Sequence, residues 1–273
     1  MEQRFEKAFA KCQENNEGLF VPFVTLCDPD YETSLEILKT LVIGGANALE
    51  LGFPFSDPCA DGPVIQKADK RALKSGAKVD DFFRIIADFR QFDEEIPISI
   101  LVYSNVIIAR GIDRFFKDAH ESGIDAVLIA DIPTGMLNTC DNFKECAVKN
   151  GVDTVLIAPP NASDEVIEKV ARLSEGYVYV LSRFGITGTD KESGYPLELV
   201  QRLKAHNAPH TLLGFGISKP EHVKKALEIG VDGAIAGSGV VQLIENNLDD
   251  KDKMLKDIQD YVAAMKAATV NRL

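Results

Sequence analysis

The sequence predicts an α/β fold, a closed (β/α)8 barrel of the TIM type with one extra helix ahead of its first strand, and three observations carry that prediction. Eight short apolar runs recur along the chain, segments of helical period lie between them, and the length of 273 residues suits such a ring, which typically takes about 250. Parallel neighbours require helical crossovers, and eight strand-helix units close on themselves. No low-complexity tract, charge block or Pro/Ser-rich linker interrupts the chain, so residues 1–273 read as a single domain. A doubly wound open sheet is the rival architecture. The absence of G-x-G-x-x-G after the first strand, and of G-x-x-x-x-G-K-[ST] anywhere, argues against its nucleotide-binding forms.

The first element is a helix, because Phe5, Ala8, Phe9 and Cys12 fall at i, i+3, i+4 and i+7 and make one apolar stripe fit to cover a barrel end. The strands follow as LFVPFVTL (19–26), ANALELGF (46–53), PISILVY (97–103), DAVLIAD (125–131), DTVLIAP (153–159), YVYVLS (177–182), TLLGFG (211–216) and DGAIAG (232–237). Short continuous apolar runs of this kind are the pattern of strands buried on both faces. Leu35, Leu38, Leu41 and Val42 have helical spacing after the first strand, and Phe115, Phe116 and Ala119 after the third, up to a break at Gly123. Ser218-Lys219-Pro220-Glu221 has the spacing of a helix capping box, and VVQLIE after Gly239 forms a short extra helix.

Composition narrows the function. Lys and Arg number 30 against 42 Asp and Glu, a net charge of −12, and such a field repels nucleic-acid backbones and anionic membrane surfaces. The longest stretches without charge, such as Ile96 to Ala109, reach 14 residues, short of the roughly 20 that cross a bilayer. MEQRFEKAFAKCQ lacks the apolar core of a signal peptide. The expected location is cytoplasmic. Cys12, Cys27, Cys59, Cys140 and Cys146 are odd in number and include no C-x-x-C, so reduced thiols are expected rather than disulfides or a zinc site. His120, His206, His210 and His222 lie in or beside expected helices without an H-E-x-x-H, and no metal is expected.

Barrel chemistry sits at the C-terminal ends of the strands. In the second strand a period of two puts Ala48, Glu50 and Gly52 on one face and Leu49, Leu51 and Phe53 on the other. The larger apolar set suits the helices, leaving Glu50 inside the ring, where burial would raise its pKa toward neutrality. The competing reading is a structural ion pair, for which no strand run supplies a base. Eleven residues on stands Asp61, at the same mouth; before Gly62 and Pro63 it also reads as a helix cap. Asp57 before Pro58 has the form of a turn residue. Gly214-Phe215-Gly216-Ile217-Ser218 and Gly233-Ala234-Ile235-Ala236-Gly237-Ser238-Gly239 close the last two strands, where barrels bind phosphate on backbone N–H groups, although such glycines also simply make turns. GITGTDKESG (185–194) reads as a lid or as a loose loop. Phe23, Tyr179, Phe184 and Phe215 either line a pocket for a flat ligand or belong to the core.

LELGFPFSDPCADGPVIQ (49–66) closely resembles the signature of the tryptophan synthase alpha chain family, and the resemblance runs nearly end to end. Supporting pieces are PFVTLCDPD (22–30), YSN (103–105), APPNA (158–162), YVYVLSRFGITG (177–188), GFGIS (214–218), GAIAGS (233–238) and AAMKAA (263–268). The resemblance implies a barrel lyase that cleaves indole-3-glycerol phosphate to indole and glyceraldehyde 3-phosphate. It implies that Glu50 is the general acid/base, that Asp61 hydrogen-bonds the indole N–H, and that Tyr179 stands near the catalytic glutamate. Phe23, Leu101 and Phe215 would line the indole pocket, Gly188, Gly216, Gly237 and Ser238 would bind phosphate, and Thr187 would belong to a lid closing on Asp61. It further implies no metal or organic cofactor on this chain, and a beta chain as partner, two copies of each. That beta chain would carry pyridoxal phosphate, take indole through an internal passage and contact a surface including Asp57 and Pro58. The sequence departs from the commonest pattern at Phe53, Cys59, Phe184 and Gly239. A ligand-sensing regulatory subunit and another phosphate-binding barrel enzyme, such as an isomerase, are the rival functions.

Overall fold

Strands β1 (Leu19–Thr25), β2 (Leu49–Gly52), β3 (Ile98–Val102), β4 (Ala126–Ile129), β5 (Asp153–Ala158), β6 (Val178–Leu181), β7 (Thr211–Gly214) and β8 (Gly233–Ala236) pair in chain order, all parallel, and β8 returns to β1 in a closed barrel. The structure, a computed structural model, describes residues 4–133, 136, 142–182 and 196–270. The register sets Glu50 opposite Phe23 on one side and Ser99 on the other. Side chains sort by the period of two. Leu19, Val21, Phe23, Ala48, Leu128, Tyr177, Tyr179 and Ile235 form the inner cluster, whereas Phe20, Val24, Leu49, Leu51, Ile100 and Val180 join the larger core beneath the helices. Glu50 accordingly points inward, as the pattern of its strand requires.

Helix α1 (Arg4–Glu14) turns its buried Phe5, Phe9 and Cys12 into the inner cluster at the N-terminal end of the ring. The Phe5 ring lies 5.2 Å from that of Tyr177, and Phe9 stacks on His210 at 3.9 Å. Burying each such ring stabilises by roughly 1.5–3 kcal/mol, enough to hold one short helix over the opening. Arg4 and the buried Arg90 both pair with Asp125 there, and Arg90 also donates to the carbonyls of Gly123 and Ile96.

The crossovers are more elaborate than a single helix each. Helices α2 (Tyr31–Ile43), α3 (Pro63–Lys74), α4 (Val79–Arg90), α5 (Ser104–Arg110) and α6 (Ile112–Ser122) serve the first three connections. The second connection holds both α3 and α4, and the third both α5 and α6. Helix α6 ends as expected at Gly123, whose φ of 90° is cheap only for glycine and whose N–H reaches Ala119 O and His120 O. Helices α7 (Phe143–Lys149), α8 (Asp164–Leu173), α9 (Leu197–Ala205), α10 (Pro220–Glu228), α11 (Ser238–Asn246) and α12 (Lys251–Ala267) complete the outer layer. The capping-box spacing at Ser218 is not used. Helix α10 begins with Pro220 at its first turn, Lys219 stands at the cap, and no side chain caps the end. Proline needs no partner for a missing N–H, so the start shifts one residue past the serine.

Small residues at strand ends make room for aromatic rings. A Cβ at Gly52 would stand 2.6 Å from Phe23 Cζ, and one at Gly214 would stand 2.1 Å from the Tyr179 hydroxyl oxygen. Among the described residues no helix is long and apolar enough to cross a membrane, and no group of three His, Cys, Asp or Glu is disposed to hold a metal. The four described cysteines are free thiols.

Gly214→Ala is expected to cost about 1–3 kcal/mol of stability by overpacking, because the Tyr179 ring must move. Denaturant unfolding, with the near-ultraviolet tyrosine signal as a second probe, should register both effects.

Candidate active site

At the C-terminal mouth of the barrel lies a cavity of about 390 Å³, lined by Phe23, Ile65, Leu101, Leu128, Tyr179, Leu181, Phe215 and Ile235, with Glu50, Cys59, Asp61, Gly216, Gly237 and Ser238 also on its wall. An apolar pocket with a few convergent polar groups is the usual form of a small-molecule site. A larger cleft of about 660 Å³ opens at the other end of the barrel beside α1. Two of its acids, Asp125 and Glu175, are already paired with Arg4 and Lys144, and it lies away from the strand ends that carry barrel chemistry.

Glu50 is 1% exposed. Burial raises its carboxyl from 4.5 to about 8; a hydrogen bond from the Tyr177 hydroxyl at 3.4 Å opposes the rise and the charge of Asp61 adds to it. Among the described residues no cation acts on Glu50, so the structural ion pair is not formed. The acid is therefore mainly protonated at neutral pH, the state from which it can donate. A folded-state pKa above the unfolded one leaves stability complete below about 4.5 and erodes it as pH rises through about 8.

Asp61 stands at the rim, 9% exposed, in the loop before α3. Burial raises its pKa, and the hydrogen bond it accepts from the Tyr103 hydroxyl at 2.6 Å works against that rise. It does not cap α3, whose cap position is Gly62 without a side-chain hydrogen bond. Tyr103 is pinned in turn: its oxygen accepts from the Ala60 N–H at 3.0 Å and its ring stacks with Phe55 at 5.0 Å. One tyrosine thus orients the acid and ties down the loop that carries it.

Tyr179 lines the cavity, edge-on to Phe215 at 6.5 Å. The hydroxyl that reaches Glu50, however, belongs to Tyr177, the inward residue immediately ahead of β6. Phe23, Leu101 and Phe215 lie on the cavity wall. Phe215 and Gly216 have consecutive positive φ angles of 67° and 77°, and Ser182 Oγ donates to the Phe215 carbonyl at 2.9 Å. Gly216 is exposed, with only Ser182 Oγ within 4 Å of an added Cβ. Gly237 caps α11 and Ser238 opens it, so the first backbone N–H groups of that helix are available to an anion. Thr187, Gly188, Phe184 and the 185–194 loop lie outside the described residues.

The departures find places in the packing. Phe53 faces the helices among Phe82, Phe83 and Phe115, with centroids 5.2–6.0 Å away. Gly239 leaves space for Tyr261, whose hydroxyl donates to Ser218 O at 3.2 Å. Cys59 is exposed at the mouth, and Asp57 is exposed on the outer loop beside Pro58. Tyr103, Tyr177 and Asp69 were not read as site residues from the sequence. Asp69, on α3, is buried near Asp61 and Asp28 and is pushed up to about 8 by desolvation and those charges.

Comparisons with known proteins give the family of the chain. The family model described as tryptophan synthase alpha chain matches residues 9–270. A tryptophan synthase alpha chain of Actinobacillus pleuropneumoniae serotype 5b is 49% identical over 97% of this chain and 98% of its own length. One of Haemophilus influenzae strain PittGG is 50% identical over 97% and 99%. Among solved structures, tryptophan synthase subunit alpha from Legionella pneumophila superposes with a TM-score of 0.87 at 28% identity, covering 98% of this chain and 99% of that one. A chain of the α2β2 tryptophan synthase complex of Pyrococcus furiosus gives 0.81 at 33%, covering 91% and 98%. The chain belongs to the tryptophan synthase alpha chain family.

Proposed function

We propose that Glu50 and Asp61 divide the work of the alpha reaction between them, Glu50 carrying the proton and Asp61 holding the charge. The reaction of the family is the retro-aldol cleavage of indole-3-glycerol phosphate to indole and glyceraldehyde 3-phosphate, a carbon–carbon lyase step in tryptophan biosynthesis. Indole is a poor leaving group until its C3 accepts a proton and the ring turns cationic. Glu50, protonated at neutral pH, gives its proton to C3. The resulting carboxylate takes the proton of the glycerol hydroxyl as that carbon becomes an aldehyde and the carbon–carbon bond breaks, so the acid returns to its starting state. An acid with a pKa near 8 is suited to both halves of that exchange.

Asp61 serves as the ionised partner, its charged form favoured by the hydrogen bond from Tyr103. A carboxylate on the indole N–H stabilises the cationic ring through a charge-assisted hydrogen bond. Phe23, Leu101 and Phe215 hold the flat ring, with Tyr179 packed against Phe215. Gly216, Gly237 and Ser238 receive the phosphate on backbone N–H groups, and Thr187 and Gly188 are assigned a part in binding by the resemblance alone. The single observation that carries this reading is a fully buried acid, with no cation beside it among the described residues, facing the same apolar cavity as a second acid.

The partner is a beta chain, in an assembly of two copies of each, with pyridoxal phosphate on that chain and none on this one. The exposed loop holding Asp57 and Pro58 lies on the outer face of the mouth and is offered as part of the contact. A cytoplasmic location accords with the sequence.

Glu50→Gln keeps the shape and removes proton exchange. Turnover is expected to fall by roughly 10²–10⁴-fold, with affinity for indole-3-propanol phosphate within a few-fold of the parent; turnover near the parent rate overturns the assignment. Asp61→Asn should lower kcat by roughly 10²–10³-fold when indole release is assayed. Activity close to normal would leave Asp61 a loop residue only.

A further inference from the structure

Directly beneath Glu50, on the side away from solvent, two hydroxyls that the mechanism has not used are linked. Ser99, fully buried on β3 and paired in register with Glu50, lies with its Oγ 3.0 Å from the Tyr177 hydroxyl, and that hydroxyl lies 3.4 Å from Glu50 Oε1. Tyr177 is itself fully buried and its ring rests on Phe5 of α1, so the hydroxyl cannot swing away to water. A phenol has one proton to donate and can also accept. Placed between Ser99 and Glu50, Tyr177 can send its proton to only one of them at a time.

We propose that Ser99 and Tyr177 are positioning residues for Glu50, forming a hydrogen-bond relay that reverses direction with the protonation state of the carboxyl. When Glu50 is protonated, its O–H donates to the Tyr177 oxygen and Tyr177 donates to Ser99 Oγ. When Glu50 is ionised, Ser99 Oγ–H donates to Tyr177, and Tyr177 donates to Glu50 Oε1. Only the hydroxyl rotors turn; no proton leaves its oxygen. The proposal rests on Glu50 being the proton carrier, since only a group that changes state in each turnover gains from a partner able to serve both states. A fixed donor would favour the carboxylate alone and pull its pKa toward the ordinary range.

The surroundings of Glu50 make the effect separable. Phe23 faces it from β1, Ser99 from β3, Tyr177 from the residue just ahead of β6, Tyr179 from β6, and Asp61 from the loop before α3. Asp61 is the one charged group among these described residues. Removing Tyr177 takes the donor from the carboxylate, whereas removing Ser99 takes the acceptor that lets Tyr177 accept from the neutral acid. The two deletions therefore shift Glu50 in opposite directions.

The test is the pH dependence of kcat for the full chain, alone and with its beta partner, in Tyr177→Phe, Ser99→Ala and Ser99→Thr. The alkaline limb should move up in Tyr177→Phe and down in Ser99→Ala, each by roughly half to one pH unit, and return toward the parent in Ser99→Thr, which keeps the hydroxyl. KM should change little. Limbs that stay in place, or move together, overturn the relay. If Ser99→Ala fails to fold, Ser99→Cys, which keeps the shape and replaces the hydroxyl by a weak hydrogen-bonding thiol, gives the same readout. Failure of the underlying reading looks different: Glu50→Gln would then retain turnover, however the limbs behave.

Discussion

Taking the carboxyl of Glu50 out of water with no cation among the described residues to meet it is unfavourable at neutral pH, and the closed ring of strands is what keeps it there. The inward face of β2 is fixed by the pairing of Phe23, Glu50 and Ser99 across three strands, and a one-residue slip would turn the acid out among the helices. The outward face of the same strand, Leu49 and Leu51, is buried in the main core together with Phe53 just beyond it and resists that slip. Hydrophobic burial on one face thus holds a costly polar group on the other. The stability given up above the ordinary carboxylate range is the counterpart of a raised pKa, and the raised pKa makes proton donation possible.

Two carboxyls in one cavity are differentiated by the tyrosines that meet them. Asp61 has a short bond from Tyr103, 2.6 Å, on a rim that is still slightly exposed; Glu50 has a longer one from Tyr177, 3.4 Å, in full burial. The strong donor favours the carboxylate and the weak one leaves the acid able to exist in either form. Environment, more than residue type, separates the roles. The glycines contribute at the same place: Gly52 admits the Phe23 ring and Gly214 the Tyr179 ring, so the apolar wall is built from small and large residues matched across strands.

The ring of strands was legible because buried parallel strands announce themselves as short apolar runs, and the orientation of Glu50 followed from the period of two in LELGF. Asp61 was legible only through the family motif, since Asp-Gly-Pro before an apolar run has the local form of a helix cap, and the cap is in fact Gly62. The hydroxyl partners were not legible. Tyr103 and Tyr177 meet their acids across 42 and 127 residues of chain, and no local spacing reports such a pairing. Tyr177 and Tyr179 are both inward by periodicity, so choosing which reaches Glu50 requires knowing how far up the barrel each one sits. Gly239 has a similar explanation, for its neighbour Tyr261 arrives from the last helix.

Proton transfer at this site depends on the protonation state of one carboxyl, and titrating that carboxyl is the most direct test. Difference infrared spectroscopy of the protonated C=O stretch, parent chain against Glu50→Gln, isolates the group from the other acids. A midpoint near 8 is the predicted result. A midpoint near 4.5, the ordinary value for a glutamate in water, would contradict it.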